Sequence, residues 1–497
     1  MSSPADRWRS PLPDHDRRRV LALLDRHPAC PTAFQILERG NRYWFAGSRQ
    51  APRAAVGYVE AAGFRVVAGA PIGPREATAE AVHGFVADAA REGRRVAFFS
   101  VGQDFVDALE AAGIAHDRLP IGTRPDLDPQ TYTLEGTRRR SLRSQVHRAV
   151  NKGVRVRRID AEEVERAPGS LRAEIERVLD RWLAARRMAV MRFMVDLEPF
   201  TLPERRRYYI AERGDEPVGF LAAVPAPAGG GWFFEDVIRV PDAPNGTAEL
   251  LMHTALLDAR ARGDTFVTLG LAPLAEVDTA PGPHRLLRRF LRLCVTRAGP
   301  LYDFEGVRRF KARFRPTAWT PQWLVTTPGP IGPRALRAVL TAFADGGLLR
   351  FGGDTARRLL DRVPAGRWAL ALRLLAAGLV PWTVLLALAD GKHWFGDASI
   401  QAAWVTFDAG MTLALWQLAR SVARHRPFAP RIALLLAGAT LTDFVLSTVQ
   451  ALHLHRAVTG WAALFVAAGL GGPFLATLML AALAIARPPV PRVERDG

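Results

Sequence analysis

Residues 205–240 read RRRYYIAERGDEPVGFLAAVPAPAGGGWFFEDVIRV, and their punctuation sets the fold class. Three runs rich in aromatic and β-branched residues, RRRYYIAER, EPVGFLAAVPA and GGWFFEDVIRV, are separated by Gly, Asp and Pro, the residues of tight turns. Strands spaced this closely form an antiparallel meander. Helical patterns precede them at 170–187 and follow at 246–262, and a strand FVTLGLAP comes next at 266–273. Helices at 283–297 and 304–313 and a last strand, TAWTPQWLVT, complete this half. A meander flanked by helices predicts an α+β sheet with helices on its faces.

Working outward, the same pattern recurs upstream. RYWFAG, PRAAVGYVEA, FRVVAGAPIGP and RRVAFFSV read as strands, with helices at 76–91 and 103–113 and a further strand expected at TYTLEG, residues 131–136. Between the halves, TRRRSLRSQVHRAVNKG predicts a helix over about 137–152 that stops at Gly153. Leu142, Val146 and Val150 form one expected apolar stripe, while Arg138, Arg139, Arg140, Arg143, Arg148 and Lys152 crowd the other faces. A phosphate-binding face and a merely solvated helix are the two readings of that density.

Downstream of residue 365 lie four apolar stretches, 368–389, 398–419, 432–454 and 461–486. Each approaches the length of about 20 residues that a helix needs to cross a bilayer. The loop RSVARHRPFAPR and the tail RPPVPRVERDG are basic, whereas DGKHWFGDAS and HLHRAVTG are not. The positive-inside rule then places both chain ends in the cytosol. The first residues, MSSPADRWRSPLPDHDRRR, hold no apolar signal segment, which predicts the same. Asp408 and Asp443 fall inside these stretches, either as a headgroup or proton site or as an interhelical hydrogen bond. His453 and His455 look interfacial.

The 497 residues carry a formal charge of +18, with Arg dominating over Lys. Such a balance favours anionic partners, nucleic acid or acidic lipid, or reflects a genome that prefers Arg codons. Cys30 and Cys294 make neither a disulfide framework nor a zinc site, and no metal is expected. GxGxxG after a strand, GxxxxGK[ST], GxSxG, HExxH and CxxC are all missing, so dinucleotide and P-loop chemistry is not indicated.

Several stretches together resemble a known family, the lysylphosphatidylglycerol synthases. They are RSLRSQVHRAVNKGVRV, EDVIRVPDAPNGTAELLMHTALLDARARG, FVTLGLAPL and YDFEGVRRFKARFRPTAWTPQWL, joined by FQILERGNRYWF and VVAGAPIGP in the first half. The likeness covers roughly residues 30–326. It implies tandem domains of the acetyltransferase (GNAT) type and transfer of an aminoacyl group, lysyl by family association, from aminoacyl-tRNA to the hydroxyl of phosphatidylglycerol or another membrane lipid. It implies a multi-pass protein of the bacterial cytoplasmic membrane and a link to antimicrobial-peptide resistance. It requires no cofactor. The family usually carries its membrane helices before the catalytic region, and here the order is reversed, which leaves flippase activity in doubt.

The expected organisation is a weakly ordered segment over 1–29, a first GNAT-like domain over 30–136 and a basic linker helix and strand over 137–158. A catalytic GNAT-like domain follows over 159–330, then an amphipathic linker over 331–365, an all-α transmembrane bundle of about four helices over 366–487 and a tail over 488–497. The resemblance places Asp236 and Arg239 in the site, Asp236 binding the aminoacyl ammonium or acting as base and Arg239 holding phosphate. At spacing i, i+3 on a strand they face opposite ways unless a bulge or strand end intervenes; an ordinary ion pair is the bland alternative. Lys311 and Arg313, between Phe310 and Phe314, are carried over for phosphate contact and oxyanion stabilisation. Glu235, Glu305, Arg308, Arg143, Arg148 and Lys152 are substrate-binding candidates, the last three with the Arg-rich 285–315 region dividing tRNA and lipid contacts. His253 and His284 read as packing or surface residues, and Gly270 and Pro273 as a structural turn. Two other functions stay open: an acyltransferase using acyl-CoA or acyl carrier protein, which the single Gly246 in PDAPNGTAEL disfavours, and a non-catalytic binding protein.

Overall fold

The computed structural model describes residues 14–27, 30–48, 51–165, 171–275, 287, 289, 302–344, 346–454 and 460–486. The expected helix at 283–297, except for residues 287 and 289, lies outside them, as do His284, Cys294 and His455. The chain divides into two compact units, Met1–Phe351 and Gly352–Gly497.

The first unit runs α1 (His15–Arg26), β1 (Arg42–Gly47), β2 (Pro52–Ala61), β3 (Phe64–Ala68), α2 (Thr78–Arg91), β4 (Arg95–Val101), α3 (Gln103–Ala111) and β5 (Asp117–Leu127). It continues with α4 (Arg140–Asn151), β6 (Val154–Ile159), α5 (Ala161–Glu165), α6 (Leu171–Ala185), β7 (Arg207–Arg213), β8 (Glu216–Ala226), β9 (Gly231–Arg239) and α7 (Thr247–Ala261). Last come β10 (Val267–Thr268), β11 (Ala272–Pro273), α8 (Phe304–Ala312), β12 (Ala318–Thr327) and α9 (Pro333–Phe343), followed by α10 (Leu348–Leu360).

All twelve strands share one sheet in the order β1-β2-β3-β4-β12-β5-β10-β9-β8-β7-β6, with β11 also on β5. The last strand in the chain therefore sits inside the first half. β12 pairs antiparallel with both β4 and β5, and β10, between β5 and β9, joins the two halves into a continuous sheet. Helix α9, within the expected linker, buries Ala335, Ala338 and Val339 against the core of the first half.

Two expectations change. TYTLEG is not a strand: a 3-10 turn covers Pro129–Thr131 and Tyr132 is buried in the core. The strand is β5, whose Pro120 and Pro125 disguise it, since proline lacks a ladder donor. Ile121 of β5 is the extra residue of a bulge opposite the Gln322–Trp323 step of β12, which sets Pro120 opposite Trp323. In α4 the buried residues are Leu142, Val146 and Ala149, and Val150 is 50% exposed. At 3.6 residues per turn a residue eight on drifts off the stripe, and the residue seven on stays.

Two parallel pairings interrupt the antiparallel order. β3 and β4 run side by side for five residues. β9 and β10 pair only at Trp232–Phe233 with Val267–Thr268. Beyond Phe233 the strands part, β9 running on to Arg239 while the other arm turns to β11. Gly270, at φ +68°, carries that turn, and a Cβ there would lie 2.6 Å from the Phe233 ring.

The second unit has α11 (Ala365–Leu388), α12 (Gly391–Phe395), α13 (Ala398–Ala423), α14 (Ala429–Leu454) and α15 (Trp461–Ile485). Among the described residues, α11, α14 and α15 are long and apolar enough to cross a membrane, over Ala365–Leu388, Ala429–His453 and Ala463–Ile485. Small residues Ala376, Ala419, Ala433 and Ala437 lie in the shared core with Leu372, Leu415 and Leu480. This small-and-large interleaving is how helices associate where lipid offers no hydrophobic driving force. Leu388, Leu413 and Leu435 stay more than two-thirds exposed, an outward apolar surface suited to acyl chains. The chain is a membrane protein.

Candidate functional site

Glu235 and Asp236 follow directly on the point where β9 and β10 part. Ala223 pairs with Phe234 and Ala222 with Asp236, so Glu235 is the extra residue of a β-bulge. The bulge gathers two consecutive acids around one guanidinium. Arg206 Nη1 donates to Glu235 Oε2 at 2.7 Å, and its Nε donates to the Thr201 carbonyl at 2.7 Å. The Arg206 and Glu235 side chains are 3% and 9% exposed.

A third acid comes from the first half. Glu38 ends the 3-10 turn Ala33–Leu37, whose Phe34, Ile36 and Leu37 share a core with Val224 of β8 and Phe233 of β9. Gln35 Nε2 donates to the Met194 carbonyl at 2.6 Å, and Arg39 pairs with Glu198 at 2.8 Å. These contacts hold Glu38, itself 5% exposed, against the second half. Both Glu38 carboxylate oxygens, Glu235 Oε1 and Asp236 Oδ2 are buried with no hydrogen-bond partner among the described residues.

A buried carboxylate without a partner costs free energy until something positive reaches it. Burial first, then the neighbouring Glu235, raises the Asp236 carboxyl well above the ordinary range, and Arg206 only partly offsets this. Burial likewise raises Glu38, with Glu235, Asp196, Glu198 and Asp236 adding to it. The site is an acidic pocket short of cations.

The structure does not bring Arg239 to Asp236. Residues 236–239 pair regularly with Ala222 back to Gly219, so alternation puts the two on opposite faces. The Arg239 guanidinium makes one long bond, 3.4 Å, to the Val240 carbonyl.

Lys311 lies on the other arm of the divergence. Its Nζ donates to the carbonyls of Leu269 (2.7 Å), Gly270 (3.2 Å) and Leu271 (2.8 Å). All three ammonium protons are committed, so Lys311 ties α8 to the turn after β10 and has none left for phosphate or oxyanion. Burial pulls its pKa down to about 7, while the three carbonyls favour the charged form. Arg313 Nη1 donates to Glu249 Oε1 of α7 at 2.6 Å and anchors the same C-terminal end of α8. Phe310 and Phe314 pack edge to face at 5.6 Å, Phe314 fully in the core. Glu305 is exposed, with Arg308 and Arg309 within 3.9 Å on the surface of α8.

The basic helix is separate. Arg143 donates to the carbonyls of Leu134 (2.6 Å) and Gly136 (3.2 Å), so it secures the turn before α4. Arg148 and Lys152 are exposed and, with Arg140, Arg143 and His147, line a shallow basic groove. Arg139 donates to the Phe314 carbonyl, linking α4's approach to the end of α8. His253 packs on Tyr132, with 3.0 Å between Nδ1 and the hydroxyl, and burial lowers its pKa.

At the start of α7, Gly246 has φ +97°, and a Cβ there would stand 1.9 Å from the Gln145 carbonyl of α4. A coenzyme pyrophosphate needs open backbone N–H groups at such a helix start. Here another helix lies against it.

Sequence reasoning missed Glu38, Arg206 and Glu249. Glu38 stands as an acid directly after the run FQIL and before RGNRYWF, which is the one signal that pointed to it.

Residues 21–326 match the family described as phosphatidylglycerol lysyltransferase, C-terminal. The chain is 26% identical over 265 residues to the phosphatidylglycerol lysyltransferase of Bacillus subtilis (strain 168), covering 52% of this chain and 29% of that one. It is 29% identical over 311 residues to the lysylphosphatidylglycerol biosynthesis bifunctional protein LysX of Nocardia farcinica, covering 61% and 26%. The chain thus spans under a third of the length of these relatives. Among solved structures, the C-terminal domain of a putative lysylphosphatidylglycerol synthetase from Agrobacterium fabrum superposes with a TM-score of 0.55 at 20% identity, over 70% of this chain and all of that one. L-PGS from Bacillus licheniformis gives 0.53 at 19% identity, over 66% and 95%. The fold is α+β, one mixed sheet with helices on its faces, followed by membrane helices.

Proposed function

We propose, from the premise that this chain belongs to the phosphatidylglycerol lysyltransferase C-terminal family, that it moves a lysyl group from aminoacyl-tRNA to the hydroxyl of phosphatidylglycerol. The observation that carries the reading is the cluster of unpartnered carboxylate oxygens on Glu38, Glu235 and Asp236. Carboxylates outnumber guanidinium groups there, an excess of negative charge that the α- and ε-ammonium groups of a lysyl ester can neutralise. A neutral or acidic aminoacyl group would leave that cost standing.

In the reaction the lipid hydroxyl oxygen attacks the ester carbonyl, a tetrahedral oxyanion forms, and the ribose oxygen leaves with the proton the hydroxyl lost. The ester is already activated, so alignment and proton transfer supply most of the acceleration. The acidic pocket holds the aminoacyl end, and the raised Asp236 carboxyl suits it to relay the proton. Lys311 and Arg313 act by positioning α8 and the 269–271 turn. Arg148 and Lys152 on α4 bind tRNA phosphate, and the two halves serve as one catalytic unit because β12 and Glu38 each cross between them.

In the membrane unit we assign all four long helices as crossings, with the basic loop 420–431 and both ends cytosolic. The helices then keep the enzyme beside an acceptor that stays in the bilayer.

The test is to incubate membranes holding the full chain with individual radiolabelled aminoacyl-tRNAs and extract the lipids. Label from lysyl-tRNA should enter an RNase-sensitive lipid product that comigrates with lysylphosphatidylglycerol. Label entering lipid only from acyl-CoA would overturn the reading.

A further inference from the structure

Inside the second unit, a cavity of about 80 Å³ opens among the helices. Two carboxylates reach its wall, Asp408 of α13 and Asp443 of α14, and so do the rings of Trp382, Trp394, Trp404 and Phe465. Among the described residues that line it, none is cationic. Asp408 is 5% exposed, and its carboxylate has no hydrogen-bond partner among the described residues. Asp443 is 9% exposed and accepts one bond, from Ser447 Oγ at 2.9 Å.

The walls are braced. Trp404 Nε1 donates to Gln450 Oε1 at 3.1 Å, and Gln450 Nε2 donates to the Trp394 carbonyl at 3.1 Å. Phe465 lies 4.6 Å from the Trp394 ring and 5.0 Å from the Trp382 ring. The aromatic groups are therefore held by their neighbours and not by either carboxylate. An interhelical hydrogen bond, the packing role for such acids, is not made by Asp408.

Two carboxylates at membrane depth are costly unless a positive charge meets them. Indole faces attract cations, most of all where water is excluded. Acid and aromatic groups lining one cavity select an organic cation over a metal ion, which would want several oxygen ligands and no rings. The small volume suits a single ammonium on an alkyl tether.

We propose that this cavity is a binding site for a primary alkylammonium group, distinct from the acidic pocket of the first unit. The ammonium can arrive on an aminoacylated lipid headgroup or on a soluble amine, and the two share this chemistry. The assignment rests on the second unit alone and stands whether or not the first unit transfers lysine.

The experiment uses the full chain in phosphatidylcholine nanodiscs carrying Asp236→Asn, which weakens the acidic pocket. Binding of radiolabelled cadaverine and of synthetic lysylphosphatidylglycerol is measured, with phosphatidylglycerol, which carries no amine, as the control. Saturable binding of either amine, weakened at least about tenfold by Asp408→Asn or Asp443→Asn, supports the site. Binding of the lipid alone identifies a headgroup, and binding of cadaverine identifies a soluble amine. No saturable binding of either probe to the protein with Asp408 and Asp443 intact overturns the proposal, as does equal binding by well-behaved Asp408→Asn and Asp443→Asn proteins. Thr477→Val removes the interhelical bond to Thr440, outside the cavity lining. It should retain binding within a few-fold, which shows that a loss in the aspartate variants is not general loosening.

Discussion

Arg206 Nη1 donates to Glu235 Oε2 at 2.7 Å, while Glu235 Oε1 beside it has no partner. One guanidinium thus serves a pocket that also contains Glu38 and Asp236. The imbalance leads to the first two predictions.

Glu38→Gln should lower kcat/KM for a lysyl donor by about ten- to a hundredfold, the range of a charge-assisted hydrogen bond of about 1.5–3 kcal/mol. The same substitution should cost an alanyl donor less, because that ester brings one ammonium. Steady-state assays with the two charged tRNAs check this, and equal losses on both would assign Glu38 to the α-ammonium.

Without substrate, stability should fall as pH rises past the ordinary carboxylate range. Glu38 and Asp236 have folded pKa values raised above their unfolded ones, so the folded state holds more protons there. Their protonated forms are the ones the fold favours, and that favour is lost as pH climbs through the folded values. The double variant Glu38→Gln, Asp236→Asn should flatten the pH dependence and raise the melting temperature at pH 8, while activity is lost. Thermal melts from pH 5 to 8 decide it.

Lys311→Met should destabilise the first unit by about 3 kcal/mol or more, since three carbonyls lose their donor at about 1 kcal/mol or more each. A residue acting only on the oxyanion would reduce kcat and leave the melting temperature alone. Measuring both separates positioning from direct catalysis.

Gly246→Ala should cost several kcal/mol. Its Cβ would fall 1.9 Å from backbone, and φ +97° is poor for any side chain. Loss of the α4–α7 contact would appear as a lowered melting temperature in lipid nanodiscs.

Arg148→Glu with Lys152→Glu should raise KM for tRNA about tenfold at low salt and leave lipid dependence intact. Their side chains are exposed and line the basic groove. The slope of log affinity against log salt should shrink by about one per lost phosphate contact.

Much was legible in the chain itself. Strand and helix placement followed from local periodicity and turn residues, as in β7, β8 and β9, because each depends on neighbours within a few positions. Three of the four expected membrane helices were legible for the same reason: solvation by lipid acts on composition over a single segment. Asp236 was found through a motif, and Glu235 stands beside it.

Tertiary structure alone determined the rest. Pairing of β12 with β4 and β5 joins residues some 200 apart, and no local pattern specifies that. Two prolines in β5 hid the strand that makes the joint. Glu38 becomes a site residue only because the Ala33–Leu37 turn packs on β8 and β9, and Lys311 loses its expected role only because three carbonyls converge on it. Asp408 and Asp443 read as isolated acids in sequence, and helix packing brings both to one cavity lined also by three indoles. Hydrophobic pattern acts along the chain, whereas burial, partner count and charge balance are sums over space. A sequence therefore shows which residues can ionise, and the fold decides which of them are left without a partner.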